Sequence, residues 1–216
     1  MSVTRRKFVT GTAAVAGAYV GPHNIRFSHA APGQAPDVSM EELMQPGPLA
    51  DRFLGPADAA VTIVEYAAMT CTHCAQFAIS TFPDLRKKYI ETGKVRYTIR
   101  EFPIDQYSAV GAMLARSAGE RYFEVIDTLL KEQRQWVNAY VQPLMSLAIE
   151  EFGFTVETFR ACLADRELLA KILANFERGG KLGVSSVPTL FVNGHKYVGF
   201  LSSSDLDLVL APYLKA

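Results

Sequence analysis

A β-branched run, Val61-Thr62-Ile63-Val64-Glu65-Tyr66, leads into Cys71-Thr72-His73-Cys74. After that tetrapeptide the chain carries apolar residues at helical spacing: Cys74, Phe77, Ala78, Phe82, Leu85 and Tyr89. This order calls for a buried strand that hands over to a helix, with two thiols at the junction. Thiols three positions apart can close on each other as a disulfide, and such a disulfide can be passed to a second pair of thiols by exchange.

Position also sets acidity. Free backbone N–H groups and the macrodipole at a helix N-terminus favour an anion, so Cys71 is expected to ionise well below the usual thiol value of about 8.5 and to act as the nucleophile. His73 adds a second push in the same direction. Stabilising the thiolate by about three pKa units is roughly 4 kcal/mol, which for a two-electron couple moves the potential by roughly 90 mV toward oxidising. Cys74, one turn further in, is expected to be more buried and to need a group that takes its proton. Glu65, a carboxylate in an otherwise apolar strand, is read as that acceptor, directly or through water. The plainer alternatives are a Glu65 that faces solvent and a His73 that is an exposed loop residue.

A Cys-x-x-Cys pair also supplies half of many zinc sites. The chain has three cysteines and four histidines. Two of the histidines, His23 and His29, fall in the leader described below, so only the distant Cys162 and His195 could complete a site, and a structural zinc is disfavoured.

Far downstream, Val187-Pro188-Thr189 enters another apolar strand. With strand, Cys-x-x-Cys, helix and this tripeptide in that order, the chain resembles the thioredoxin-fold disulfide oxidoreductases of the DsbA type over most of residues 57–214. The resemblance implies an α/β thioredoxin fold carrying a helical insertion. Thr72 stands where many members carry proline, which affects the size of the thiol's acidity and not its sign. Glu65 matches the family's buried acid in spacing, and Arg96, in the expected strand Val95 to Phe102, falls about where a basic partner of that acid is found. Val187-Pro188 matches the loop that in this fold carries a cis proline opposite the dithiol, so Val187, Pro188 and Thr72 are expected to line the substrate site. Cys162 falls on an apolar helix face with Phe159 and Leu163 and reads as a buried thiol. Some relatives tie the helical region with a second disulfide near this place; Ser117 stands where the partner would be, so no such bridge is expected.

Residues 1–30 contain Arg5, Arg6, Lys7 and Arg26 but no acidic residue, with a mildly apolar stretch from Val9 to Val20. That pattern reads as an export signal cleaved after about Ala30, and Thr4-Arg5-Arg6-Lys7-Phe8-Val9 resembles a twin-arginine leader. Its removal leaves 18 basic against 22 acidic residues, a net charge of about −4, which argues against nucleic acid as a partner. Export to an oxidising compartment, the periplasm, suits a disulfide carrier.

Residues 31–56 are proline-rich and read as an extended lead-in, with at most a short helical piece at Met40 to Met44. Residues 57–104 and 177–216 are expected to form the thioredoxin-fold domain, with the first helix bent near Pro83. Residues 105–176 read as an inserted helical domain, with breaks at Gly119, Gln133 to Gln135, Gly153 and Asp165, and with Thr155 as a helix cap. Gly179-Gly180 and Gly183 read as the return to strand. Asn193-Gly194 gives a hairpin, leaving His195 an exposed turn residue, and Ser203 or Ser204 is expected to cap the last helix.

The expected function is an exported dithiol oxidase that donates the Cys71–Cys74 disulfide to cysteine-containing client proteins. The redox-active disulfide is its only prosthetic element, and by the resemblance a membrane quinone-linked oxidase reoxidises it. The short lead-in offers no room for a dimerisation domain, so a monomer is expected. Two competing readings are a glutathione-dependent isomerase or transferase built on the same core, and a copper chaperone using Cys71, Cys74 and His73 as ligands.

Overall fold

The computed structural model describes residues 36–137 and 141–214. The basic leader and its cleavage site lie outside the described residues. Four strands form one sheet in the order β2-β1-β3-β4. β1 (Val61–Ala67) runs parallel to β2 (Val95–Glu101) and antiparallel to β3 (Thr189–Val192), which pairs with β4 (His195–Val198) across the Asn193-Gly194 turn. A parallel pair needs a crossover, and here it is helical. It comprises α2 (Thr72–Ser80), α3 (Phe82–Leu85) and one π-helical turn at Arg86–Ile90. Pro83 sits in the first turn of α3, where its missing N–H has no helical partner to lose.

Between β2 and β3 the chain is helical. α4 (Gln106–Ser117), α5 (Tyr122–Lys131), α6 (Gln133–Trp136), α7 (Val141–Phe152), α8 (Val156–Ala164) and α9 (Arg166–Lys181) follow in turn. Asp105 and Thr155 close capping boxes that start α4 and α8, and Asp165 caps α9. α10 (Ser203–Leu210) ends the fold against the crossover. Among the described residues, no helix is long and apolar enough to cross a membrane.

The period of two along a strand divides the sheet's residues between two faces. Ile63, Tyr97 and Ile99 look into the larger core with α2 and α5, whereas Val64, Tyr66 and Phe191 build a second core with Leu43 and Phe102. On that second face the lead-in is tied down. α1 (Met40–Leu43) delivers the Leu43 carbonyl to the fully buried Arg100, which also holds Asp51 through two hydrogen bonds of 2.6 and 2.9 Å. Leu54 pairs with Tyr97 as an isolated bridge and covers the outer edge of β2.

Four local expectations need correction. Gly179 and Gly180 are still helical in α9, because a Cβ at Gly179 would lie 2.8 Å from Tyr66 and 2.9 Å from Phe102; the glycine lets the helix approach the sheet. α10 is capped by Ser202, which exchanges hydrogen bonds with Asp205, and not by Ser203 or Ser204. His195 is buried at 9% exposure beside the Tyr213 ring. Arg96 does not reach Glu65. It pairs with Thr62 in the register and so falls on the opposite face, stacked over Phe53 at 3.6 Å.

Candidate functional site

Cys71 is the N-cap of α2, with extended backbone angles, and its sulfur accepts the Cys74 amide N–H at 3.3 Å. Both cysteines are free thiols; Cys71 keeps 8% of its surface and Cys74 none. The Cys71 thiol is pushed down to about 6. The hydrogen bond from the Cys74 side chain is the largest cause, burial works against it, and the amides of Cys74 and His73 with the charge of His73 complete it. Cys74 moves the other way, well above an ordinary thiol, because it is buried, donates to Cys71, and feels the charges of Cys71 and Glu65. Two thiols three residues apart therefore have opposite tendencies: one ionises readily, the other holds its proton.

Glu65 lies on the same face as Tyr97 and is 1% exposed, so the solvent-facing alternative is overturned. Tyr97 is opposite Ile63 in the register, which puts its hydroxyl on the diagonal to Glu65, and it donates to Glu65 Oε2 at 2.5 Å. Burial raises the Glu65 carboxyl to about 8, with the Tyr97 hydroxyl pulling it down and the Cys71 charge pushing it up. A small cavity of ≈ 20 Å³, room for about one water, adjoins Glu65 and Tyr97 beneath α2.

Glu65 leads to a stability prediction. Its value in the fold lies above the 4.5 of an ordinary glutamate, so the folded state binds more protons than the unfolded state between the two. The stability this gives is fully present below about pH 4.5 and is lost as pH rises through about 8. Glu65→Gln should therefore gain on the parent protein by about 3 kcal/mol between pH 5 and pH 8. Urea unfolding at both pH values measures this, and a gap that stays constant with pH would contradict it.

The Val187–Pro188 peptide bond is cis, and the Val187 carbonyl accepts from the Cys71 sulfur at 3.3 Å. Val187 is half-buried and Pro188 buried, while Thr72 and His73 are exposed at the start of α2. The contact of Cys71 with Val187 thus brings the start of α2 to the Val187–Pro188 loop, and Cys74 and Glu65 are buried.

Two further residues hold this loop, and both come from the helical insertion. Gln133 is 9% exposed and donates from Nε2 to the carbonyls of Met69 (2.8 Å) and Cys71 (3.1 Å). Asp105, the cap of α4, accepts from the Thr70 hydroxyl at 2.5 Å. The sequence marks Gln133 only as part of a helix break, and no local signal identifies its role, because its partners lie more than 60 positions away. Cys162 is buried, and Ser117 donates to its sulfur at 3.3 Å, so a hydroxyl occupies the position beside this thiol. Among the described residues, no three His, Cys, Asp or Glu side chains cluster as a metal site.

Comparison with known proteins identifies relatives of this chain. A family model described as thioredoxin matches residues 49–210. A putative protein-disulfide oxidoreductase of Rickettsia bellii is 34% identical over 149 residues, 67% of this chain and 57% of the relative, so the chain spans little more than half of that protein's length. A probable disulfide bond formation protein D of Bacillus anthracis is 27% identical and is covered to 72%. The crystal structure of Wolbachia pipientis α-DsbA1 superposes with a TM-score of 0.73 at 28% identity, covering 80% of this chain and 95% of that one.

Proposed function

This chain belongs to the thioredoxin family, in its DsbA-type branch, and we propose that it is an exported protein-disulfide oxidoreductase that donates the Cys71–Cys74 disulfide to newly exported client proteins. The observation that carries this reading is the asymmetry of the two thiols. An acidic Cys71 at the mouth of the site over a buried, proton-holding Cys74 favours the reduced pair, and a pair that favours reduction gives its disulfide away.

In the oxidising direction a client thiolate attacks the Cys71 sulfur. The Cys71–Cys74 bond breaks, and Cys74 leaves with the electron pair. Because Cys74 is strongly basic, it takes a proton, and Glu65, mostly protonated at neutral pH, is the adjacent donor. The second client thiolate then attacks the client sulfur of the mixed disulfide and releases Cys71 as a stable thiolate. The client has lost two electrons and the protein pair has gained them. On reoxidation the Cys71 thiolate attacks a disulfide of the oxidant and forms a mixed disulfide; Cys74 then gives its proton to Glu65 and attacks the Cys71 sulfur, and the oxidant's sulfur leaves as thiolate. Val187, Pro188 and Thr72 are the proposed client-contacting residues, with the Val187 carbonyl as an acceptor for an extended client strand.

The basic leader supports export to the periplasm, and a membrane quinone-linked oxidase is the proposed reoxidant. The internal disulfide is the only redox group the mechanism needs. Copper carriage and glutathione-dependent chemistry are not favoured, since the named relatives are disulfide proteins.

We further propose a monomer that inserts disulfides and reshuffles wrong ones poorly. Residues 36–56 are packed back on this chain's own sheet through Leu43, Asp51 and Leu54, so they are not available as a separate dimerisation unit. Sedimentation should give one protomer. Refolding of a reduced multi-cysteine substrate should run at least about tenfold faster than rescue of the same substrate scrambled. A dimer that rescues scrambled substrate as fast as it oxidises reduced substrate would make isomerase the better description.

A further inference from the structure

We propose that the cavity beneath the active-site helix is the route by which Glu65 exchanges its proton with solvent, and that Asp127 of the helical insertion is the carboxylate at its outer end. The proposal rests on the reading of Glu65 as the proton partner of Cys74 and goes one step beyond it. Every redox cycle changes the protonation of Glu65 twice, yet this side chain is only 1% exposed and cannot meet bulk water itself. A buried group with that duty needs a path.

One is present. The cavity adjoining Glu65 and Tyr97 is lined also by Phe77, Phe82, Phe123 and Asp127, so two acidic residues border one small space. With room for about one water, it suits a single bridging molecule. The walls are otherwise apolar, and an excess proton crossing them alone would be a bare charge in a low-dielectric space. A carboxylate at the mouth removes that difficulty, because it can give or take the proton where water is available.

Asp127 is built for the mouth. It projects from α5, is half-buried, and its Oδ2 is held by Lys131 at 2.6 Å, one turn along the same helix. The ionisable groups that face Glu65 are Tyr97 from β2 and Cys71 and Cys74 from α2; the cation that faces Asp127 is Lys131. Tyr122 of α5 points away, with its hydroxyl on Glu101. Asp127 is thus a positioning residue for proton movement, acting through Glu65 and touching neither sulfur nor client.

The test is a double-mutant cycle on reduction of the oxidised Cys71–Cys74 pair by dithiothreitol, followed by rapid acid quench and thiol counting. Asp127→Asn should slow reduction by about tenfold near neutral pH, and Asp127→Glu should keep most of the rate. In a Glu65→Gln background, Asp127→Asn should cost nothing further, since the route then leads nowhere. The equilibrium potential should be the same for Asp127→Asn as for the parent, because a route alters rates in both directions equally. Equal slowing in both backgrounds, an altered potential, or an unaltered rate in a protein that cycles would each overturn the route. A parent protein whose Cys71–Cys74 pair does not cycle at all would remove the functional reading together with it.

Discussion

Cys74→Ser protein mixed with clients that carry a disulfide should accumulate them as mixed disulfides on Cys71, whose thiolate attacks one client sulfur while the other leaves as thiolate, and Cys71→Ser protein should capture none. The two thiols differ in access and in charge. Cys71 retains some surface and is pushed down to about 6, so at neutral pH it is mainly thiolate, the attacking form. Cys74 has no exposed surface and is pushed far up, so alone it neither meets a client nor ionises. Removing Cys74 deletes the group that expels the client from Cys71, and a transient species becomes a stable one. The change should be from undetectable to most of the protein, seen as dithiothreitol-sensitive adducts on a non-reducing gel. Clients recovered mainly on Cys74 would reverse the assigned roles.

Thiolate absorbance of the reduced protein should titrate with a midpoint near pH 6, against 9.0 for an ordinary cysteine. The value in the fold is depressed, so the stability it gives the reduced form is fully present above about pH 9 and is lost as pH falls through about 6. The whole effect is about 4 kcal/mol, but at pH 7, one unit above the folded value, only about 1.4 kcal/mol is expressed, equivalent to about 30 mV. The contribution to the potential at pH 7 is thus about a third of the 90 mV that the bare three-unit shift suggests. His73→Ala should move the midpoint only modestly upward, because Cys74 leads among the causes and the charge of His73 comes last. A midpoint above pH 8 in the parent protein would contradict the assignment of Cys71 as the acidic thiol.

The part of this site that was legible in the sequence is the part made by neighbours. Val61 to Tyr66 read as a strand because β-branched residues are consecutive there, and Cys71 to Cys74 could be placed at a helix start from the apolar spacing after it. The partner of Glu65 was not legible in the same way. The family resemblance pointed to Arg96, but the strand's period of two turns Arg96 to the other face and brings Tyr97, one residue on, to the carboxylate. Nor could the sequence show that Gln133 and Asp105 hold the active-site loop, since these bonds depend on how the inserted helices dock. The lead-in, extended but for the short helix Met40–Leu43, follows the sequence in form, and only its anchoring was hidden. Its prolines speak for extended chain, while its anchoring depends on Arg100, which no local pattern marks as buried.

A redox titration of the Cys71–Cys74 pair against glutathione buffers, with the thiol fraction read after acid quench, addresses the proposed direction of electron flow. A disulfide donor should equilibrate at an oxidising potential, well above about −200 mV. A value near about −270 mV, where thioredoxin-like reductants lie, would mean that the pair holds its disulfide and that the protein reduces its clients.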